Sequence, residues 1–309
     1  MQATLARAAK FEGVGVHSGA PATATVRPAP IGSGVTFVRV DVSDRDNRIP
    51  ASFDQVVDTR LCTVIGNDDQ VTVSTIEHLM AALAGLGVTN ALIEIDGPET
   101  PIMDGSSEPF VRGLMAAGLK AQRVSQRSIR ILKRVEVRDQ GRVAALAPNN
   151  RFEMRFEIDF EEAAIGRQQR GMTLVNGAFV EHLSRARTFG RLADVERLRA
   201  AGLARGGSLD NAIVVDGGRV LNEGGLRYED EFVRHKMLDA IGDLALAGAP
   251  IIGLYEGVCA GHEMTNRLLH ALFADDQAWC WEFDAVHAGA APRSLGVDAP
   301  VAAAGQAAA

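Results

Sequence analysis

Residues Tyr228 to Pro250 read YEDEFVRHKMLDAIGDLALAGAP, and the rest of the chain is best understood outward from them. Acidic residues open the run, Gly248 and Pro250 close it, and only Gly242 interrupts it, so the spacing predicts one long helix. At about 100° per residue, Val233, Met237, Ala240, Ile241, Leu244 and Ala245 fall on one side, and His235, Lys236, Asp239 and Asp243 on the other. One face belongs to a core and the other carries chemistry. His235 and Asp239 are spaced so that one side chain lies above the other and both can converge on a cation. Asp243, one turn further, is placed to orient a neighbour. The same pattern also describes a solvated face of a surface helix, and taken alone it does not separate the two.

The 309 residues exceed what one compact core usually holds and predict two domains. A hydrophobic fraction of 47%, 23% charged residues and a mean hydropathy of +0.03 are those of a globular enzyme with a sizeable core. The formal net charge of -7 argues against nucleic acid as a partner, while leaving room for a local basic pocket for one anionic substrate. Cys62, Cys259 and Cys280 form no C-x-x-C pair, so neither a disulfide framework nor a thiolate zinc site is expected, and a reducing cytoplasm fits. MQATLARAAKFEGVG lacks the apolar core of a signal peptide. The apolar region Leu244 to Ala260 is broken by Pro250 and Glu256, which predicts no membrane span and at most a peripheral membrane contact.

From Gln2 to Pro50, runs such as ATATVRP and GVTFVRV alternate with Gly, Pro and Asp clusters, the pattern of antiparallel strands. The glycine-punctuated turn Gly13 to Gly19 carries His17, which reads equally as incidental or as a substrate contact. Two strands are expected between Thr59 and Val73, with Cys62 in the first. Ser74 to Met80 has the form of a helix start, with Ser74 as N-cap and Glu77 at the capping-box position. Against that structural role for Glu77 stands His78 beside it, because a carboxylate next to a metal ligand is what a hydrolase needs as general base. A strand at Asn90 to Asp96 and a helix from about Ser107 to Ala117 complete a first α+β domain, residues 1–121. After a polar linker, a second α+β domain is expected over residues 128–275. It contains a helix within Gly177 to Arg187, an insert at about 192–216, the central helix, a strand at Ile251 to Val258, and His262 on a glycine turn opening another helix. Residues 276–309, dominated by Ala, Gly and Pro from Ala285, are expected to be a frayed tail.

A catalytic zinc takes three protein ligands and keeps one position open, which two histidines and an aspartate from separate helices would provide. On pattern alone, a metal hydrolase and a histidine-rich enzyme without metal both remain. The strings STIEHLMAALAGLG, PIMDGS, SRARTFG, GGSLDNAIVVD, LNEGGLRYEDEFVRHKMLDAIGDL and GHEMTN, in this order, resemble the UDP-3-O-acyl-N-acetylglucosamine deacetylases, zinc enzymes of lipid A biosynthesis. The resemblance runs from about Gln2 to Ala274. It implies an α+β fold of two domains of similar topology, each a sheet packed on helices, with a small insert in each and the active site between them.

The resemblance further implies Zn2+, with Fe2+ as a possible substitute, held by His78, His235 and Asp239. Glu77 falls at the family's general base, Thr188 at the residue that stabilises the oxyanion, His262 at the general acid or cation, and Asp243 at the residue that orients His262. Lys236 and Phe189 fall at substrate contacts, and Cys62 at a cysteine near the metal. Leu192, Val195, Leu198, Leu203, Ala204 and Val214 cluster just after Thr188-Phe189 at the family's insert and are expected to form a passage for the substrate's acyl chain; a small satellite core is the structural alternative. Two functional alternatives stay open at this point. One is a zinc amidase on another N-acetyl sugar or a peptide, and the other a non-catalytic acyl or sugar-nucleotide binding protein.

Overall fold

The computed structural model describes residues 1–175 and 177–283. Alternation in PATATVRP turns Ala22, Ala24 and Val26 inward and leaves Thr23 and Thr25 half-buried on the other face. In EMRFEID the same rule buries Met154, Phe156 and Ile158. Such strands build two five-stranded sheets. The first has the order Ala9–Val14, Pro21–Pro28, Ala91–Ile95, Val35–Arg39, Arg48–Pro50. The second has the order Val135–Asp139, Arg142–Ala147, Leu254–Val258, Glu153–Asp159, Arg167–Thr173. In each, the central strand is the last of the five in sequence and joins two antiparallel hairpins. It runs antiparallel to the second strand and parallel to the third.

The helices repeat the plan. Helices α1 (Glu77–Gly85) and α2 (Glu108–Ala117) precede and follow the central strand of the first sheet. In the second half come α3 (Ala178–His182), α4 (Leu192–Ala200), α5 (Glu231–Leu244) and α6 (His262–Phe273), with α5 and α6 on either side of that sheet's central strand. Each half also carries a small three-stranded insert before its first central helix. The inserts are Val56–Asp58, Val64–Gly66 and Thr72–Val73 in one, and Phe189–Arg191, Ile213–Asp216 and Arg219–Val220, with α4, in the other. The fold is thus α+β, two sheet-and-helix halves of the same topology.

Helices α1 and α5 meet between the halves, and buried residues of both sheets and of α1, α2, α5 and α6 form one continuous core. The contact depends on Gly242. A Cβ there would stand 2.1 Å from the backbone oxygen of Glu77, closer than any real contact, so only glycine lets α5 lie directly on the first turn of α1.

Several expectations are corrected. The run from Tyr228 to Pro250 is not one helix, because α5 covers Glu231–Leu244 and a 3-10 turn, Ala245–Ala247, follows it. Of the two readings left open for its polar face, the solvated one fails, since His235, Asp239 and Asp243 are all buried. Ser74 does not cap α1. The helix begins at Glu77, and the Ser74 hydroxyl donates to the carbonyl of Pro98 at 3.0 Å. The helix sought within Gly177 to Arg187 is confined to Ala178–His182, and Cys62 lies in a bend before Val64–Gly66 and not in a strand. The second half runs beyond residue 275, since Trp279–Phe283 pairs antiparallel with Arg127–Ile131. The rest of the expected tail, residues 284–309, lies outside the described residues. Among the described residues no helix is long and apolar enough to cross a membrane.

Candidate active site

The first two residues of α1 reach the cleft through an unusual entry. Thr75 has φ 58°, a left-handed conformation that a β-branched residue rarely adopts. Its hydroxyl donates to the buried carboxylate of Glu99 at 3.2 Å, which also accepts from the backbone amides of His17 and Ser18. The turn so held sends Glu77 and His78 toward α5.

On α5, His235 Nδ1 lies 3.0 Å from the carbonyl oxygen of Ala186. A carbonyl only accepts, so Nδ1 carries the hydrogen, and Nε2 presents its lone pair to Asp239 Oδ1 at 3.3 Å. His78 Nε2 lies 3.6 Å from the same oxygen, and the two imidazole rings meet edge to face at 5.0 Å. Asp239 Oδ1 is buried without a hydrogen-bond partner, while Oδ2 accepts from Lys236 Nζ at 2.7 Å. Burial pushes His235 down to about 4, so its ring is neutral at neutral pH. One donor atom from each of His78, His235 and Asp239 lies within 4.8 Å of the others. Buried acceptors turned toward one another are costly unless a cation joins them, and two imidazoles with one carboxylate fit a metal cofactor with an open position.

Two proton-handling groups flank this set. Burial, the largest influence, raises the Glu77 carboxyl above its usual range against the opposing pull of His262 and His78. For His262, burial disfavours charge, but Asp243, whose Oδ2 lies 2.8 Å from Nδ1, outweighs it, and the imidazole rises to about 9. A carboxyl group raised by burial and an imidazole raised by Asp243 therefore face the same space, an arrangement that suits acid–base chemistry.

That space is a cavity of about 280 Å3 lined by Glu77, His78, Thr188, Phe189, His235, Lys236, Asp239 and His262, together with Leu61, Phe160, Gly190, Arg191 and Asp194. Asp243 stands behind His262. Thr188 is held by its backbone, with its N–H donating to Gly105 and its carbonyl accepting from Ile213, each at 2.8 Å. Phe189 packs edge to face on Phe160 and Phe232. The structure brings none of the acyl-passage residues Leu192, Val195, Leu198, Leu203, Ala204 and Val214 into this lining. Leu192 lines a neighbouring cavity with Glu161, Glu162 and Asp216, Val195 stands behind Gly190, and Val214 is buried in its strand. The Cys62 thiol is buried and pushed up to about 12, chiefly by desolvation, so it stays protonated.

Three supporting features escaped the sequence reading. The Ala186 carbonyl orients His235. Next to it, Arg187 forms a buried ion pair with Glu231 on the first turn of α5, its Nε 2.9 Å from Oε1, which fixes the segment leading into Thr188. Thr63 touches both Glu77 and Asp243. The first two lie inside the strings SRARTFG and LRYEDEFVRHK and could have been sought there; Thr63 carries no signal of its own.

Comparison with known proteins gives an independent line. Residues 2–274 match the family model described as UDP-3-O-acyl N-acetylglycosamine deacetylase. A relative from Phenylobacterium zucineum (strain HLK1), named UDP-3-O-acyl-N-acetylglucosamine deacetylase, is 56% identical over 278 residues, covering 90% of this chain and 95% of its own. Relatives of the same name from Pasteurella multocida (strain Pm70) and Shewanella halifaxensis (strain HAW-EB4) are 50% and 49% identical over 280 residues, each covering 90% of this chain and 92% and 91% of their own. With a match over nearly its whole described length and a buried metal-binding set between its halves, the chain belongs to the UDP-3-O-acyl N-acetylglycosamine deacetylase family.

Proposed function

We propose that this chain hydrolyses the N-acetyl group of UDP-3-O-acyl-N-acetylglucosamine and releases acetate, the committed step of lipid A biosynthesis, using Zn2+ held by His78, His235 and Asp239. The observation that carries this reading is the unpartnered, buried Asp239 Oδ1 facing two imidazole nitrogens, within a chain of this family. Bound there, zinc supplies Lewis-acid polarisation of the acetamido carbonyl and acidifies water at its open position. Fe2+ suits the same donors and can substitute.

Every other step falls to the chain's own residues. Glu77, its carboxyl raised by burial, takes the proton of the attacking water. The Thr188 hydroxyl opposes negative charge developing on the carbonyl oxygen. His262, protonated at neutral pH, gives its proton to the departing amine nitrogen while Asp243 holds its ring. Lys236, already anchored on Asp239, and Phe189 contact the sugar nucleotide at the cavity wall. Residues 1–121 and 128–275 are two domains with the substrate site between them, and the enzyme works in the cytoplasm.

The test is acetate release from the acylated UDP-sugar with and without a chelator, combined with metal analysis. About one zinc per chain, activity abolished by the chelator and restored by Zn2+ is the expected result. Absence of acetate release, or turnover indifferent to chelation, would overturn the reading.

A further inference from the structure

Thr63 sits in the bend between Val56–Asp58 and Val64–Gly66, 2% exposed, in the insert of the first half. Its backbone N–H donates to Glu77 Oε2 at 3.0 Å. Its hydroxyl donates to Asp243 Oδ1. Asp243 belongs to α5 in the other half, and its second oxygen holds His262 Nδ1 at 2.8 Å. One small residue therefore links the base on α1 to the carboxylate that orients the acid on α6.

We infer that Thr63 is a positioning residue of the deacetylation: its amide fixes which oxygen of Glu77 is left to face the cavity, and its hydroxyl fixes the Asp243 carboxylate that aims His262. This rests on the deacetylase reading above. The chemistry argues for orientation beyond mere burial. A carboxylate is planar, and Asp243 has one oxygen committed to Thr63 and the other to His262, so rotation about its terminal bond breaks one bond or the other. Because Asp243 accepts from His262 Nδ1, the ring presents Nε2 to the cavity. With the hydroxyl gone, the carboxylate keeps its charge and loses the contact that sets its plane. The base and the acid, which line the same cavity, are thereby registered to each other by a single side chain and its own amide.

Thr63→Val keeps the shape and the amide and removes only the hydroxyl, whereas Thr63→Ser keeps the hydroxyl and removes a methyl. The expected outcome for Thr63→Val is a kcat lower by about tenfold or more, with KM within about twofold and metal content unchanged, as for loss of a hydrogen bond to a charged group that matters only in turnover. Thr63→Ser is expected to retain most of the parental kcat. In a His262→Gln background, adding Thr63→Val is expected to change kcat by less than about twofold, because the route through which the hydroxyl acts is already cut. Should Thr63→Val fail to fold, Thr63→Ala makes the same comparison. An unchanged kcat in Thr63→Val, equal losses in the Val and Ser variants, full multiplicative losses in the His262→Gln background, or loss of metal in step with activity would each overturn the assignment. A parent chain that releases no acetate would instead strike at the deacetylase reading itself.

Discussion

Glu77 and His262 are both displaced upward from their ordinary ionisation, one because burial disfavours its charge and the other because Asp243 favours it. The rate is therefore expected to rise with pH as Glu77 loses its proton above the usual carboxylate range, and to fall as His262 loses its proton toward about 9. A bell-shaped profile of kcat/KM checks this, and His262→Gln is expected to remove the alkaline limb. Glu77→Gln is expected to keep the metal and lose about two to four orders of magnitude in kcat, the range typical of a lost general base. The same ionisations bear on stability. His262 moves from 6.5 in the unfolded chain to about 9, so its pairing with Asp243 stabilises fully below the lower value and is lost as pH rises through the higher one. The difference in Tm between the parent and Asp243→Asn should shrink over that window. The residue types of this site were legible because histidines and carboxylates carry recognisable spacing. Thr63 was not, because an uncharged hydroxyl in a bend acquires meaning only from partners distant in sequence.

Helical periodicity separated the apolar side of α5 from its chemical side, but it could not say that the chemical side is buried. That depends on α1, which lies far away in the chain and meets α5 at Gly242. Read locally, Gly242 is a weak point in a helix; in the fold it is the contact itself. Gly242→Ala is expected to force α5 away from the Glu77 backbone at about 1–3 kcal/mol, the usual range for overpacking, and to lower Tm accordingly. Activity should fall further than stability, since Asp239 and Asp243 ride on the displaced helix, and parallel Tm and kcat measurements check this. The S-x-x-E pattern at the start of α1 misled for a related reason. Glu77 has the sequence position of a capping residue, but its carboxylate is claimed by the amide of Thr63, and the turn is set by Thr75 and Glu99 instead. The acyl-passage cluster shows the same limit, because apolar residues close in sequence end in a cavity wall, behind a glycine and inside a strand.

Across the whole molecule, the candidate ligand set draws His78 from one half and His235 and Asp239 from the other, so a metal bound there would tie the halves together. Metal at about a hundredfold over its Kd is expected to add about 2.7 kcal/mol to stability, visible as a rise in Tm that His78→Ala abolishes. The strands and helices of each half could be read from alternation and punctuation. The shared sheet order could not, because it is written in pairings between distant strands. That order has a consequence in time. In each sheet two hairpins form from neighbouring segments, and the strand that unites them is the last to be synthesised. In the order of synthesis, each half therefore lacks the strand that joins its two hairpins until Ala91–Ile95, and later Leu254–Val258, has been made. His262 follows that second strand by only a few residues. Closing the second five-stranded sheet and delivering His262 are therefore nearly the same step along the chain, and only the pairing of Trp279–Phe283 with Arg127–Ile131 comes later.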